Sequence, residues 1–370
     1  MLPAMFAALR QDQVHYHMVF IPLDRVYQDE PIDSTPIAAD SAYCRLWLRE
    51  MQLLSQHGWF HNFYPVVQAS TRFIYGGQAI TVPCLAGPGP LLAKLTQNNL
   101  DHVMGFNYPL TPLFPFRGGD IDVQAGLFRM TASDPLKRFV SAIERIANLL
   151  PIPEFSTVLK LVQPTYDAIA DLMGVAESSL QMGYQDCFVS AGGGGANQLR
   201  GGYFAAIQDE QGAVDPNELC VVDGHLRIVT RGNQSQAKPD SQPLEQCSYM
   251  LFYVERRSTQ NWGMLGTIDK LVREAQKVDS FGSPAEVRAC VDRLANAVME
   301  SNDLLPNAQD EVYRRLKGIL DRRSLQAVQP EGVLSLASMM NIESVPALDE
   351  ETEAELANVR ELRRKLNEGA

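Results

Sequence analysis

The sequence lacks the compact signatures by which common chemistries announce themselves. Its six cysteines, Cys44, Cys84, Cys187, Cys220, Cys247 and Cys290, are scattered with no CxxC spacing, which excludes a zinc knuckle or a thioredoxin-type redox pair. Neither GxGxxG nor GxxxxGK[ST] is present, so a dinucleotide fingerprint and a Walker-type phosphate loop are absent. There is no GxSxG frame for a serine nucleophile and no HExxH zinc motif, which removes the strongest sequence grounds for a hydrolase.

Positive charge is also short. The 370 residues carry a formal net charge of −12, a balance that repels nucleic-acid phosphate and anionic lipid headgroups. The basic groups Arg256-Arg257, Arg314-Arg315, Arg322-Arg323 and Arg363-Arg364-Lys365 are short, and all but the first lie in an acidic, helical region. Nucleic acid is therefore not an expected partner. No run approaches the ~20 apolar residues of a membrane-spanning helix, and the opening Met1 to Arg10 is too short for a secretory core with its cleavage site. These features predict a cytoplasmic chain without a transmembrane segment and with its thiols buried.

What is present is an ordinary globular composition, 45% hydrophobic and 21% charged, enough to build a large core. Alternating aromatic and β-branched residues predict a kinked strand over Val14 to Tyr27, and a strand over Tyr43 to Leu54. Phe63 to Pro83 reads as a hairpin about Gly76-Gly77, and Leu219 to Thr230 as a second about Asp223-Gly224, since tight hairpin turns need positive φ. Further strands are expected over Asp120 to Met130, Leu180 to Val189, Tyr203 to Gln208 and Tyr249 to Val254. Loops are expected at Leu85 to Pro90, at Gly192 to Gly195 and over the polar stretch Arg231 to Pro243.

Helical spacing begins at Asp134-Pro135, a cap followed by proline, and predicts a helix pair over about 134 to 174. From Thr267 the period is helical throughout, and Ser283-Pro284 with Glu286 is a helix start. The last 105 residues hold 33 Asp, Glu, Lys and Arg, against 43 in the first 265. The change of period and the rise in charge place a boundary near residue 266. The expected fold is α+β: a mainly antiparallel β-sandwich or barrel-like body over 1–265 with an inserted helix pair, followed by a helical region over 266–370.

Three constellations bear on function. His15, His17, His57 and His61 form an HxH and an HxxxH pair; on a strand and a helix respectively, each pair projects to one side, a pattern able to hold zinc or iron. Gly58 inside the second pair opposes a helix there, and the more ordinary role is structural. Ser190 before the Gly192 to Gly195 loop is the one serine in a suggestive setting for a nucleophile, and that loop offers amide donors to an anion without the helix that should follow it.

The third is apolar. Pro109, Pro112 and Pro115 break a run of large side chains into an irregular loop, so Tyr108, Leu110, Leu113, Phe114 and Phe116 either plug the body or meet a partner. Leu356, Val359, Leu362 and Leu366 form one stripe of a charged C-terminal helix, suited to a protein partner or a second copy. The functional expectation is a non-catalytic scaffold or adaptor using these two surfaces, without a cofactor. The alternatives are a metal-dependent enzyme using the histidine cluster and a hydrolase with a serine nucleophile.

Overall fold

A computed structural model describes residues 16–28, 31–54, 63–87, 104–131, 178–191, 198–209, 214–229, 239–260, 265–281 and 283–314, with Val162 and Asp167. His15, His57, His61, Leu356, Val359, Leu362, Leu366, the Gly192 to Gly195 loop and nearly all of the 134–174 helix pair lie outside these residues; Val162 and Asp167 are both helical. The described residues are mostly antiparallel sheet with few helices, a sheet-rich α+β fold. Those up to Ser258 form one compact unit, and those from Thr259 onward belong to a second.

The first unit is organised on a central sheet. Its strands are β1 (Tyr16–Ile21), β3 (Tyr43–Gln52), β6 (Met104–Pro109), β10 (Gly202–Gln208) and β14 (Ser248–Arg257), in the order β1-β10-β14-β3-β6, with β7 (Phe114–Pro115) also on β3. A second sheet runs β5-β4-β8-β9, from β4 (Phe63–Tyr75), β5 (Gln78–Ala86), β8 (Asp120–Thr131) and β9 (Ser178–Val189). A third, smaller sheet has β2 (Val26–Tyr27), β11 (Leu219–Val222), β12 (His225–Val229) and β13 (Ser241–Pro243).

Both expected hairpins form where their turn residues placed them. Gly76 and Gly77 have φ of 58° and 78° between β4 and β5, and Asp223 and Gly224 have φ of 52° and 81° between β11 and β12. These are left-handed values, which glycine adopts freely and aspartate tolerates better than most residues.

Cross-strand register sorts the central sheet into two faces. Phe20, Phe204, Phe252 and Leu48 form one row across it, and Tyr184 of β9 meets that row, 5.4 Å from Phe252 and 6.3 Å from Phe204 between ring centroids. Phe188 lies 4.9 Å from Phe204. The opposite face carries Tyr203, Ala205, Ile207, Tyr249 and Leu251, which share a buried cluster with Leu219, Val221 and Leu226 of the small sheet. The central sheet is therefore covered on both faces.

Three local expectations are corrected. The composition of Arg231 to Pro243 predicts loop throughout, yet Ser241–Pro243 pairs with β12 as an edge strand, held by Arg227, which donates to the Ser241 hydroxyl and carbonyl at 2.8 and 2.7 Å. Proline is compatible with an edge, where no ladder donor is needed. Leu85 and Ala86 extend β5 instead of opening a loop. Pro109 and Pro115 lie on short strands at the sheet margin.

The second unit contains α1 (Gly266–Phe281), α2 (Pro284–Glu300) and a helical segment over 306–314. Leu265, Ile268 and Val272 pack with Val287, Val291, Leu294 and Val298 as the amphipathic spacing requires. Ser283 closes a capping box: its hydroxyl accepts from the Glu286 N–H, and the Glu286 carboxylate accepts from the Ser283 N–H at 2.7 Å. Replacing Ser283 with Ala is expected to cost this unit about 1 kcal/mol, read as a lower denaturant midpoint for loss of helical circular dichroism.

Candidate functional site

The site with the most unusual chemistry is built around a carboxylate that the strand pattern alone would misplace. Tyr43, Arg45 and Trp47 share one face of β3, and Cys44, Leu46 and Leu48 the other, so strict alternation assigns Glu50 to the second set. The ladder to β14 contradicts this. Leu48 pairs with Phe252 but Glu50 with Leu251, leaving Arg49 as the extra residue of a bulge. A bulge shifts the parity of everything after it. Glu50 is thereby turned to the face of Trp47 and Tyr253, and Met51 takes the aromatic face.

On that face Glu50 is 0% exposed. Its Oε1 lies 2.8 Å from His225 Nδ1, and its Oε2 accepts from the Leu226 N–H at 2.7 Å. The Asp223-Gly224 turn presents both donors, because it places His225 and Leu226 at the start of β12. The hydroxyl of Tyr249 also faces Glu50, and burial followed by that negative charge holds its pKa well above the ordinary phenol range. The hydrogen bond to Glu50 raises the pKa of His225, against an opposing effect of burial. Half of the His225 side chain is exposed, 52%.

A second cluster lies farther along the same strands. Trp47 Nε1 donates to Glu255 Oε2 at 2.7 Å. The guanidinium groups of Arg45 and Arg49 sit 5.2 and 5.1 Å from the Trp47 ring, and Arg49 also sits 4.9 Å from the Tyr253 ring. Glu255 pairs with Arg257 and, at 3.9 Å, with Arg45. Such stacking of guanidinium on aromatic rings is favourable where water is scarce, and Trp47 is only 7% exposed.

Of the residues singled out from sequence, His17, Ser190 and those of the proline-aromatic loop are among the described ones. His17 pairs in register with Ile207 on β1. Leu110, Leu113, Phe114 and Phe116 are buried, Phe114 stacking on Phe73 at 3.8 Å between centroids, and Tyr108 is half-buried. These side chains fill the first unit's interior, with the Leu110 N–H bonded to the Leu46 carbonyl and Phe116 N–H to that of Ala42. Ser190 directly follows β9 and is half-buried. Among the described residues no three His, Cys, Asp or Glu side chains come together as a metal-ligand set.

All six cysteines are free thiols, five of them buried. Cys187 is half-buried, and burial with the neighbouring Asp122 pushes its pKa up to about 11, so it remains protonated and a poor nucleophile near neutrality. Among the described residues no helix is long and apolar enough to cross a membrane.

No family model, no curated protein and no solved structure matches this chain. Glu50 and His225 carried only weak sequence signals. His225 sits beside a recognisable Asp-Gly turn, but the 175 residues separating the pair and the bulge that turns Glu50 inward leave no local motif.

Proposed function

We propose that this chain is a non-catalytic scaffold or adaptor that acts through protein–protein contacts. The observation that supports this best is the use to which the charged groups of the candidate site are put. Glu50 is enclosed and bonded at both oxygens to the β11–β12 hairpin, and Glu255 is bonded to Trp47 and Arg257. Both carboxylates tie elements of the same unit together. This suits a rigid platform, and the proposal includes the finer architecture, a β-sandwich formed where Tyr184 and Phe188 meet Phe204 and Phe252.

The burial of Phe114 and Phe116 moves the proposed contact surface away from the proline-aromatic loop. In the second unit, Met299 and Tyr313 are large apolar side chains left 45% and 41% exposed, and exposed aromatic and methionine side chains are favoured at interfaces. The full-length chain is expected to elute with its partner or a second copy in size-exclusion chromatography with light scattering. Joint replacement of Met299 and Tyr313 with Glu is expected to release a folded monomer. A wild-type monomer that captures nothing from its native host, or an assembly indifferent to both substitutions, removes the basis of this reading.

A second reading, acid–base chemistry at His225, is favoured by one observation. A buried carboxylate holds Nδ1 while half of the imidazole stays exposed, an arrangement that fixes the tautomer and leaves Nε2 as the working nitrogen. His225→Gln separates the two: it abolishes turnover on the second reading and leaves partner capture intact on the first.

A further inference from the structure

We propose that Glu50 and His225 form a proton-operated latch between the β11–β12 hairpin and the central sheet, tight while the imidazole is charged and looser when it is neutral. The latch is independent of the adaptor reading, because it concerns how the first unit is held together.

The geometry restricts what can compensate Glu50. Its carboxylate is fully buried on the face where the small sheet packs, and both of its oxygens meet groups from that hairpin, His225 Nδ1 and the Leu226 N–H. A buried carboxylate is costly unless a charge or several donors offset it. With a charged imidazole both partners of the contact carry charge, which makes it stronger than the hydrogen bond from a neutral imidazole to the carboxylate that remains after deprotonation. The loss of that charge leaves the buried carboxylate with hydrogen-bond donors but without a countercharge, which lowers the cost of opening the hairpin to water.

The other charged groups near the imidazole are Asp223 and Arg227 of the same hairpin, the first favouring its protonated form and the second opposing it. From β14, Tyr249 faces the carboxylate and stays neutral. The folded-state pKa of His225 is raised from 6.5, with the Glu50 hydrogen bond as the leading cause. A raised imidazole pKa contributes stability that is fully present below the unfolded value and is lost as pH climbs through the folded one. The latch is therefore tight in mildly acidic solution and loosens on the alkaline side of 6.5. Leu219, Val221 and Leu226 remain apolar anchors, so the hairpin stays seated and only its opening equilibrium shifts.

Amide hydrogen exchange on the full-length protein, followed by NMR alongside the His225 ring signal, tests this directly. Protection factors for the Leu226 amide and its β11–β12 neighbours are expected to fall about fivefold across the imidazole titration, the difference between a hydrogen bond with both partners charged and one with only the carboxylate charged. Protection in the β4–β8 ladder should stay constant. His225→Gln is expected to hold hairpin protection at the lower level at all pH values, and Glu50→Gln to bring the imidazole midpoint down. Should Glu50→Gln fail to fold, His225→Gln alone decides. Protection that is flat through the wild-type titration, or that keeps its pH dependence in His225→Gln, overturns the latch.

Discussion

Replacing Phe252 with Ala is expected to destabilise the first unit by about 4 kcal/mol, near the upper end of what one core truncation costs. Phe252 is 0% exposed and stands between two other rings, Phe204 at 5.1 Å and Tyr184 at 5.4 Å. Truncation removes the transfer free energy of a buried aromatic side chain and opens a cavity whose walls come from two different sheets. Those walls cannot close easily, because Phe204 is fixed by ladders on both sides and Tyr184 by the ladder to β8 and by its hydroxyl, 3.1 Å from Met18 Sδ. Equilibrium denaturation followed by tyrosine and tryptophan fluorescence measures the loss. Phe252→Leu, which keeps most of the volume, should recover more than half of it. An Ala variant within about 1 kcal/mol of wild type would show that the rings are not a shared core.

Gly201→Ala is the second large effect, and it arises from the backbone. A Cβ at Gly201 would lie 2.1 Å from the Asp33 carbonyl oxygen, a separation that requires the main chain itself to move. The segment it would displace is closely tied. The Ile37 N–H donates to the Leu199 carbonyl at 2.8 Å, the Ala191 N–H to the Ile37 carbonyl at 3.1 Å, and Asp33 pairs with Arg256. Overpacking of this kind costs about 1–3 kcal/mol where neighbours can adjust, and a backbone neighbour puts the expected value near the top, about 3 kcal/mol. Thermal unfolding should show the drop, and limited proteolysis should cut first within 31–42. An Ala variant with wild-type stability and the same cleavage pattern would mean that the two backbones do not touch in solution.

Much of the framework was legible because local chemistry and tertiary structure agree. Gly76-Gly77 and Asp223-Gly224 mark turns that exist in the fold, and Ser283-Pro284 with Glu286 marks a helix start with its full capping box. The alternation of Cys44, Leu46 and Leu48 gave a strand and the correct face for those three. It could not give Glu50, because a bulge is a property of the ladder between β3 and β14, not of β3 alone. Ser241–Pro243 escapes a reading of composition for a related reason: an edge strand needs few apolar side chains, so it resembles a loop. The proline-aromatic loop allowed two placements, and only packing distinguishes a plug from a docking patch.

The candidate site was the least legible feature. Its carboxylate and imidazole come from strands far apart in sequence, and beyond the Asp223-Gly224 turn nothing local to His225 marks it. Reading residues in isolation favours clustered histidines, such as His15 with His17, over a pair that only the sheet order can bring together.

The order β1-β10-β14-β3-β6 also bears on how the protein is made. Neighbours in the central sheet are drawn from both ends of the first unit, with residues 16–21 joined to 202–208 and residues 43–52 joined to 248–257. Such distant pairings close large loops before any contact rewards them and slow folding accordingly. On the ribosome, the β4–β5 hairpin can form as soon as it emerges and β3 meets β6 soon after, whereas β1 waits for β10 and the other side of β3 waits for β14, in each case about two hundred further residues, which at ~5–20 residues per second is a delay of about ten to forty seconds. During that interval β1 and one edge of β3 lack their final partners, so the nascent chain has reason to need a chaperone early and little need of one once β14 has been added.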